Sequence, residues 1–432
     1  MPYALLALGI LFAALAVNAH RPAKNPVLLA PSFFAGWWAI ELAPHLLAAE
    51  AAALALAAWN GGLDGRAGRA GLLLGVAGAA GLAWTIAVSR RTTVTLRESG
   101  VPFELDPGPA PRYPRSHLVV PPLCLVPRKG VRVTRDIAFH EDGRLRLKLD
   151  VYRPAAPKDG GDGGALRPGL MQIHGGAWII GDKREQGLPL LNHMAVQGWV
   201  GFNVNYRLSP RATWPDHLVD LKRFLAWYRE HAADYGADPD FLCVTGGSAG
   251  GHLAAMVALT ANDPDFQPGF EDADTSVQGA VPFYGVYDFC EPGPWPVPFG
   301  STRLVERWIV KLPFAENRDV YAKASPVTHV REDAPPFLVV HGSHDSLIPA
   351  PEARRFVERL RAVSRAPVLY AEMKGGQHGF DVFPSYRTAR VVEGVERYLT
   401  GLHRQYRQGT GPAVPGEVAE SLDRSARDGP VG

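Results

Sequence analysis

Cysteine is scarce in this sequence, which has three among 432 residues: Cys124, Cys243 and Cys290. An odd number of widely spaced cysteines fits neither a disulfide framework nor the close spacing of a zinc site. We therefore expect buried, reduced thiols that pack as small apolar groups. The sequence implies no metal.

A strong net charge is also lacking. The formal charge is +2 at pH 7, and no long run of Lys or Arg occurs, so nothing in the sequence points to a nucleic-acid partner. Charged residues make up 20% and the hydrophobic set 47%, which suits a globular protein with a substantial core. The length predicts one large domain with an appendage, or two domains.

Hydrophobicity is concentrated in the first ninety residues. Three apolar stretches cover about residues 3–17, 27–59 and 70–89, and the last is long enough to cross a hydrocarbon core of about 30 Å. We interpret residues 1–95 as a transmembrane region, with three helices predicted. A cleaved signal peptide is the alternative for the first stretch, although a basic region at its start is missing.

Basic residues near the ends of these stretches predict the orientation. If there are three spans, the first loop and the chain after the third span share one side. That side carries five basic residues (Arg21, Lys24, Arg90, Arg91, Arg97), against two (Arg66, Arg69) in the second loop. The positive-inside rule then places the chain after the third span in the cytoplasm and the N-terminus outside, in a multi-pass protein of the cell membrane.

The remaining chain divides by composition. Residues 96–130 are rich in proline and predict an extended linker. Residues 405–432 are rich in Gly, Pro, Ser, Asp and Arg, which predicts a disordered tail. Residues 131–404, between them, form the predicted globular domain.

Within 131–404, short apolar strands alternate with helical patterns. Residues 131–139 and 145–152 predict two antiparallel strands. Further strands are predicted at 169–173, 199–205, 241–245, 280–284, 337–341 and 368–372, and helices at 216–231 and 354–363. This alternation predicts an α/β fold with a mostly parallel central sheet and helices on both faces.

Ser248 lies in the motif Gly246-Gly247-Ser248-Ala249-Gly250, directly between a predicted strand and a predicted helix. The motif alone is weak evidence in a glycine-rich chain, but this context is the one that a nucleophile elbow requires. A glycine-rich helix cap is the alternative. The sequence therefore nominates Ser248 as a nucleophile.

A serine nucleophile needs a base and a group that orients the base. His378 follows the strand at 368–372, and Asp345 follows the strand at 337–341. The order Ser, Asp, His is that of the α/β-hydrolases. We predict Ser248, Asp345 and His378 as the catalytic residues, and structural roles for His341 and His344.

The segment His174-Gly175-Gly176-Ala177-Trp178 follows the strand at 169–173. Glycine lets backbone N–H groups approach a carbonyl oxygen closely, as an oxyanion hole requires. The predicted donors are the amides of Gly175, Gly176 and Ala249, with His174 fixing the loop by hydrogen bonding.

These motifs, together with Asn205 to Pro210, resemble the bacterial esterase/lipase branch of the α/β-hydrolases, which is related to hormone-sensitive lipase and to BD-FAE-like feruloyl esterases. The resemblance covers about residues 131–404. The N-terminus is similar to that of mycobacterial and other actinobacterial Lip-type carboxylesterases. The resemblance implies an α/β-hydrolase fold and a serine carboxylesterase or lipase that hydrolyses acyl esters without a cofactor. One departure is that HGGAW stands here in place of the common HGGG.

The substrate is less well specified. Trp178, Trp295 and Trp308 are candidates for a substrate pocket, with the amphipathic stretch 303–312 as a cap over it. Ordinary packing of a crossover connection is the equal alternative for that stretch. The expected partners are a small-molecule or lipid ester and the lipid bilayer. An aryl-formamidase or amidase, an acyltransferase with the same triad, and a non-catalytic membrane scaffold remain as alternative functions.

Overall fold

A computed structural model describes residues 1–23, 25–101, 113–114, 118, 129–143, 145–155, 166–291 and 302–409. The chain begins with four apolar helices: α1 (Pro2–His20), α2 (Pro26–Glu41), α3 (Ala43–Ala57) and α4 (Gly65–Ser89). A π-helical turn, Ala58–Gly62, follows α3. The sequence predicted three helices in this region, whereas the structure has four, because a sharp bend after Glu41 divides the second apolar stretch into α2 and α3.

Glycines let α1 and α4 pack closely and in parallel. A Cβ on Gly9 would lie 2.1 Å from the carbonyl oxygen of Gly71, and a Cβ on Gly78 would lie 2.8 Å from the carbonyl carbon of Phe12. Near the other end of the pair, Thr85 Oγ1 is 3.2 Å from His20 Nε2. Residue numbers therefore rise together along the two helices, so their C-terminal ends lie on the same side.

The helix α3 runs antiparallel to α4. A Cβ on Gly75 would meet Leu54 at 2.6 Å, whereas a Cβ on Gly78 would meet Glu50 at 2.9 Å. Between α2 and α3 the chain bends by 92°. Among the described residues, Pro2–His20 and Gly65–Glu98 are long and apolar enough to cross a membrane, and the bent pair Val27–Glu41 with Ala43–Gly62 is a third candidate.

The segment after α4 differs from the predicted linker. A short helix, α5 (Thr92–Glu98), packs on the hydrophobic core of the following domain, where Leu96 is fully buried and Val101 is buried as well. Apolar side chains in residues 92–101 thus tie the helices to the domain directly. The proline-rich residues 102–112 lie outside the described residues.

Eight strands form one sheet in the order β1-β2-β4-β3-β5-β6-β7-β8. Their bounds are Val131–Asp142, Leu145–Pro154, Arg167–Ile173, Val200–Val204, Ala237–Gly247, Gly279–Phe283, Phe337–Gly342 and Val368–Met373. The strand β2 is antiparallel to both β1 and β4, and all other neighbours are parallel. This confirms the predicted mostly parallel sheet, and the bounds of each predicted strand lie within two residues of the observed ones except at the end of β1 and the start of β5.

Helices cover both faces of the sheet. They are α6 (Leu188–Val196), α7 (Asp216–His231), α8 (Ala249–Leu259), α9 (Arg318–Lys323), α10 (Ala350–Val363) and α11 (Tyr386–Arg407). Side chains of α7, α8 and α10 belong to one buried apolar cluster, and those of α6 and α11 to another that also includes Leu96 of α5. The final helix extends to Arg407, so the first residues of the predicted disordered tail are helical, and residues from 410 onward lie outside the described residues.

The crossover between β6 and β7 carries short helical turns at Thr302–Leu304, Val305–Ile309 and Pro326–His329. Trp214 N donates a hydrogen bond of 2.9 Å to Ile309 O, so the predicted cap packs on the loop before α7. Of the cysteines, Cys243 is buried as expected, Cys290 is partly exposed, and Cys124 lies outside the described residues.

Candidate active site

Ser248 occupies the sharp turn between β5 and α8. Its backbone dihedrals, φ 59° and ψ −121°, are strained for a residue with a side chain, and its N–H donates a hydrogen bond of 3.0 Å to Phe283 O. A side chain larger than that of glycine would not fit at position 250 of this turn, since a Cβ there would lie 2.2 Å from Ile173 O. The strand-turn-helix context inferred from the sequence is therefore present, and Ser248 lies beside the free N–H groups that begin α8.

Asp345 and His378 meet across the ends of β7 and β8. His378 Nδ1 donates a hydrogen bond of 2.7 Å to Asp345 Oδ2. The other carboxylate oxygen, Oδ1, accepts hydrogen bonds from the N–H groups of Leu347 and Ile348 at 2.9 and 2.7 Å. With both oxygens bound, the carboxylate has a fixed orientation and holds the imidazole in one tautomer.

The charge of Asp345 is favoured at all ordinary pH values. Burial opposes its ionisation, but the nearby His378 and the hydrogen bonds from His341 and His378 outweigh that effect and hold the pKa of Asp345 at about 2. The group therefore acts as a carboxylate and as a hydrogen-bond acceptor at neutral pH.

Ser248 and His378 line the same cavity, which has a volume of about 210 Å³. Since Nδ1 of His378 is bound to Asp345, Nε2 is the ring atom left for the serine side of the site. The structure thus brings together all three residues that the sequence nominated.

The loop after β3 lies directly against Ser248. A Cβ on Gly175 would be 3.1 Å from Ser248 Cβ, and Ala177 lines the cavity. However, Gly175 N donates a hydrogen bond of 2.8 Å to Gln186 Oε1. This amide already has a partner inside the protein, so the assignment of Gly175 as an oxyanion donor needs correction.

The histidines beside the site have structural partners. His174 stacks on Tyr206 at 4.5 Å between ring centroids, its Nδ1 is 2.8 Å from Gly175 O, and burial lowers its pKa. His341 Nε2 lies 2.8 Å from Ile348 O, and His344 Nδ1 lies 3.4 Å from Ala19 O. These contacts agree with the structural roles expected for all three.

The three candidate pocket tryptophans have different positions. Trp178 lines the cavity, but it is 3% exposed and its indole N–H donates to His252 Nδ1 at 3.2 Å. Trp308 is 37% exposed and is not among the residues that line this cavity. Trp295 lies outside the described residues.

The helix α2 supplies a cavity wall that the sequence did not reveal. Ala30, Phe33 and Phe34 line the cavity with Ser248, and the ring centroid of Phe33 is 6.4 Å from that of His378 in an edge-on arrangement. Trp37 Nε1 also donates a hydrogen bond of 2.9 Å to Gly379 O, next to His378.

A buried ion pair ties the same helix to α11. Arg387 Nε donates to Glu41 Oε1 at 3.0 Å, and Ser385 Oγ donates to Glu41 Oε2 at 2.6 Å. Both charged side chains are 1% exposed. In the sequence, Glu41 stands out only as a carboxylate inside an apolar stretch. A buried carboxylate requires a partner, but the sequence does not show which residue that is.

Known proteins match the part of the chain that holds these residues. The BD-FAE family model matches residues 149–360. Over 282 residues the chain is 51% identical to the "Probable carboxylic ester hydrolase LipM" of Mycobacterium tuberculosis. This match covers 65% of this chain and 64% of LipM, so the chain spans slightly under two thirds of the length of LipM. Over 293 residues it is 40% identical to "Esterase LipC" of the same organism, covering 67% of this chain and 70% of LipC.

A solved structure gives the same fold. The apo form of Thermogutta terrifontis esterase 2 is 26% identical, superposes with a TM-score of 0.51, and covers 66% of this chain and 97% of that chain. The chain therefore belongs to the bacterial esterase/lipase branch of the α/β-hydrolases, the branch of hormone-sensitive lipase and of the BD-FAE esterases.

Proposed function

We propose that this protein is a membrane-anchored serine carboxylesterase in which Ser248, His378 and Asp345 form the catalytic triad. One observation carries the proposal: a serine in a strained strand-to-helix turn shares a cavity with a histidine that is oriented by a buried carboxylate. Relatives named carboxylic ester hydrolase and esterase support the reaction class.

The reaction is acyl transfer to water in two steps. Ser248 Oγ bonds to the ester carbonyl carbon while its proton passes to His378 Nε2, and the imidazolium is stabilised by Asp345. When the tetrahedral intermediate collapses, the C–O bond to the alcohol breaks and His378 gives the proton to the leaving oxygen. A water molecule then attacks the acyl-enzyme by the same route, which releases the carboxylic acid and restores the Ser248 hydroxyl.

Backbone amides stabilise the oxyanion. The amide of Ala249, at the start of α8, and the amides of Gly176 and Ala177 in the loop after β3 are the proposed donors. Gly175 is replaced by Ala177 in this set because Gln186 takes the Gly175 N–H, whereas Ala177 lines the cavity. Such donors are effective because they are already oriented before charge develops.

The N-terminal helices form the proposed anchor, with three crossings by α1, α3 and α4. Since α1 and α4 are parallel, the chain must return across the bilayer between them, and the antiparallel α3 with its π-helical turn provides the return. The fifteen residues of α3 rise about 22 Å, and the π-helical turn extends the segment toward the roughly 30 Å thickness of a hydrocarbon core. The N-terminus and the catalytic domain then lie on opposite sides, and the distribution of basic residues favours the cytoplasm for the domain.

The test uses purified full-length protein with a fluorophosphonate probe and short-chain p-nitrophenyl esters. Wild type and the control variant Ser364→Ala, which removes a serine remote from the cavity, are expected to label and to hydrolyse the esters. Ser248→Ala is expected to do neither. Labelling and turnover that persist in Ser248→Ala would overturn the assignment.

The same assay separates the reaction classes. Faster turnover of an N-formyl aryl amide than of the esters would favour a formamidase. Product formed with an acceptor alcohol faster than hydrolysis would favour an acyltransferase.

A further inference from the structure

One face of α2 is apolar and exposed. Val27, Leu28, Phe34 and Trp38 are between 53% and 83% exposed, and Pro31 on the same face is exposed too. The spacing of positions 27, 31, 34 and 38 makes them one stripe along the helix. We call these five residues the α2 stripe. An exposed apolar surface of this kind marks contact with an apolar partner.

The opposite face of α2 is buried against the rest of the protein. Leu29, Phe33 and Ile40 are 1%, 9% and 3% exposed. The hydrogen bonds of Trp37 and Glu41 therefore hold this side of the helix against the domain, while the α2 stripe faces away from the domain. The stripe belongs to a fixed surface.

The helix α2 also lies at the junction between the apolar helices and the domain. The C-terminal end of α1 contacts His344 through Ala19 O, and that of α4 lies against the His378 loop, where a Cβ on Gly375 would be 3.1 Å from Val88. The 92° bend then turns α3 away from α2 toward the other side. An apolar helix across the ends of the helices proposed to span the bilayer, with an exposed Trp on it, has the position of a helix at the membrane interface, where Trp is enriched.

The cavity opens next to this stripe. Phe34, 53% exposed, belongs to both the stripe and the cavity lining, and Ile180, which also lines the cavity, is 68% exposed. Two exposed apolar side chains therefore line the same cavity as Ser248. Phe33 lies farther in, beside His378.

We propose that the substrate is a long-chain carboxylic ester resident in the bilayer, and that its acyl chain reaches Ser248 laterally between Phe34 and Ile180. This inference rests on the proposed esterase function of Ser248. The cavity of about 210 Å³ is smaller than the 300–1,000 Å³ typical of sites that enclose a ligand. Only part of a long chain fits inside, and the rest lies along the α2 stripe and the lipid around it.

The first experiment measures selectivity in nanodiscs of phosphatidylcholine that contain the full-length protein. The substrates are p-nitrophenyl palmitate, supplied in the disc, and p-nitrophenyl butyrate, supplied in water. Phe34→Ser and Ile180→Ser are expected to lower the palmitate-to-butyrate ratio of kcat/KM at least tenfold. The control Trp59→Ser, which removes an aromatic side chain 89% exposed on the other side of the helices, is expected to leave the ratio unchanged.

A ratio in Phe34→Ser and Ile180→Ser equal to that in Trp59→Ser would overturn the proposal. So would the conversion of a dimer to a monomer by Phe34→Ser without a change in the ratio, since the stripe would then bind a second copy of the chain. Fluorophosphonate labelling of each variant at Ser248 shows that its site is folded.

The second experiment tests the route. Enzyme and p-nitrophenyl palmitate are placed in the same nanodiscs or in separate ones. Lateral entry predicts hydrolysis at least tenfold faster when both share a disc, whereas equal rates would overturn it. If instead wild type neither labels with fluorophosphonate nor hydrolyses butyrate, the esterase proposal itself has failed.

Discussion

The N-terminal helices and the α/β domain bury their apolar side chains in different ways. In the domain, a sheet is covered on both faces, and large side chains such as Phe202, Phe224 and Phe337 are fully buried. In the helices, glycines form the contacts between α1 and α4, while large side chains such as Leu73, Trp59 and Val27 point outward. Packing by small residues with apolar groups outside is what association in lipid requires.

The boundary between the two regions is where the difference becomes functional. The loops that carry Asp345 and His378 contact the ends of α1, α2 and α4, and α2 completes the cavity. The domain therefore supplies the proposed reacting groups, and the helices supply a wall of the cavity and contacts that support its loops. Changes inside the domain, at the boundary and in the loop after β3 should separate these contributions.

The largest expected effect comes from a change wholly within the domain. Asp345→Asn removes the carboxylate that fixes the tautomer of His378, so kcat for p-nitrophenyl butyrate should fall on the order of 10⁴-fold. The melting temperature should change much less than in the boundary variant described next. A loss of kcat below tenfold would contradict the role of Asp345.

At the boundary, Glu41→Gln leaves Arg387 buried without its counter-charge. Breaking such a pair costs about 3–5 kcal/mol, so thermal unfolding in detergent should occur at a clearly lower temperature. The double variant Glu41→Met/Arg387→Met removes both charges and should recover most of the loss. If the single variant melts like wild type, the ion pair does not hold α2 to the domain.

A smaller effect is expected in the loop after β3. Gly176 has φ 114°, and a Cβ there would lie 2.0 Å from Ile180 O, so Gly176→Ala must shift the proposed oxyanion donors. We expect kcat to fall about 10²-fold or more. Gly401→Ala is the matched control, because a Cβ there meets nothing within 4 Å. Equal kcat values for Gly176→Ala and Gly401→Ala would show that the loop after β3 does not supply the oxyanion donors.

An effect that is small over any one pH unit concerns a second buried carboxylate, which lies inside the domain and has backbone partners. Burial raises the pKa of Glu352 to about 8, although the N–H groups of Tyr287 and Asp288 oppose the shift. Between pH 4.5 and 8 the folded protein keeps a proton that the unfolded chain releases. The contribution to stability is therefore full below pH 4.5 and is lost as pH rises to about 8, by up to about 1.4 kcal/mol per pH unit.

Glu352→Gln should abolish this dependence. The melting temperature of the variant relative to wild type is then expected to be higher at pH 8 than at pH 5. Parallel pH profiles would show that Glu352 is ionised in the folded protein.

The strands and the elbow were predictable because their signals are local. Alternating or continuous apolar residues next to glycine turns located β1 to β8 within a few residues, and the strand-turn-helix context singled out Ser248. Asp345 and His378 were found because the ends of parallel strands meet at one edge of a sheet. The pairing of Gly175 with Gln186 was not predictable, since the two lie eleven positions apart along a loop and nothing in the sequence brings them together.

The sequence by itself determined the sheet, the three residues proposed as the catalytic triad, and the apolar character of the first ninety residues, because periodicity and motif spacing act over short stretches of chain. Tertiary structure alone decided that Phe33 and Phe34 line the cavity, that Glu41 pairs with Arg387, and that residues 92–101 pack on the core. These contacts join residues up to 346 positions apart in the sequence, and they depend on how the helices and strands pack against each other once they have formed.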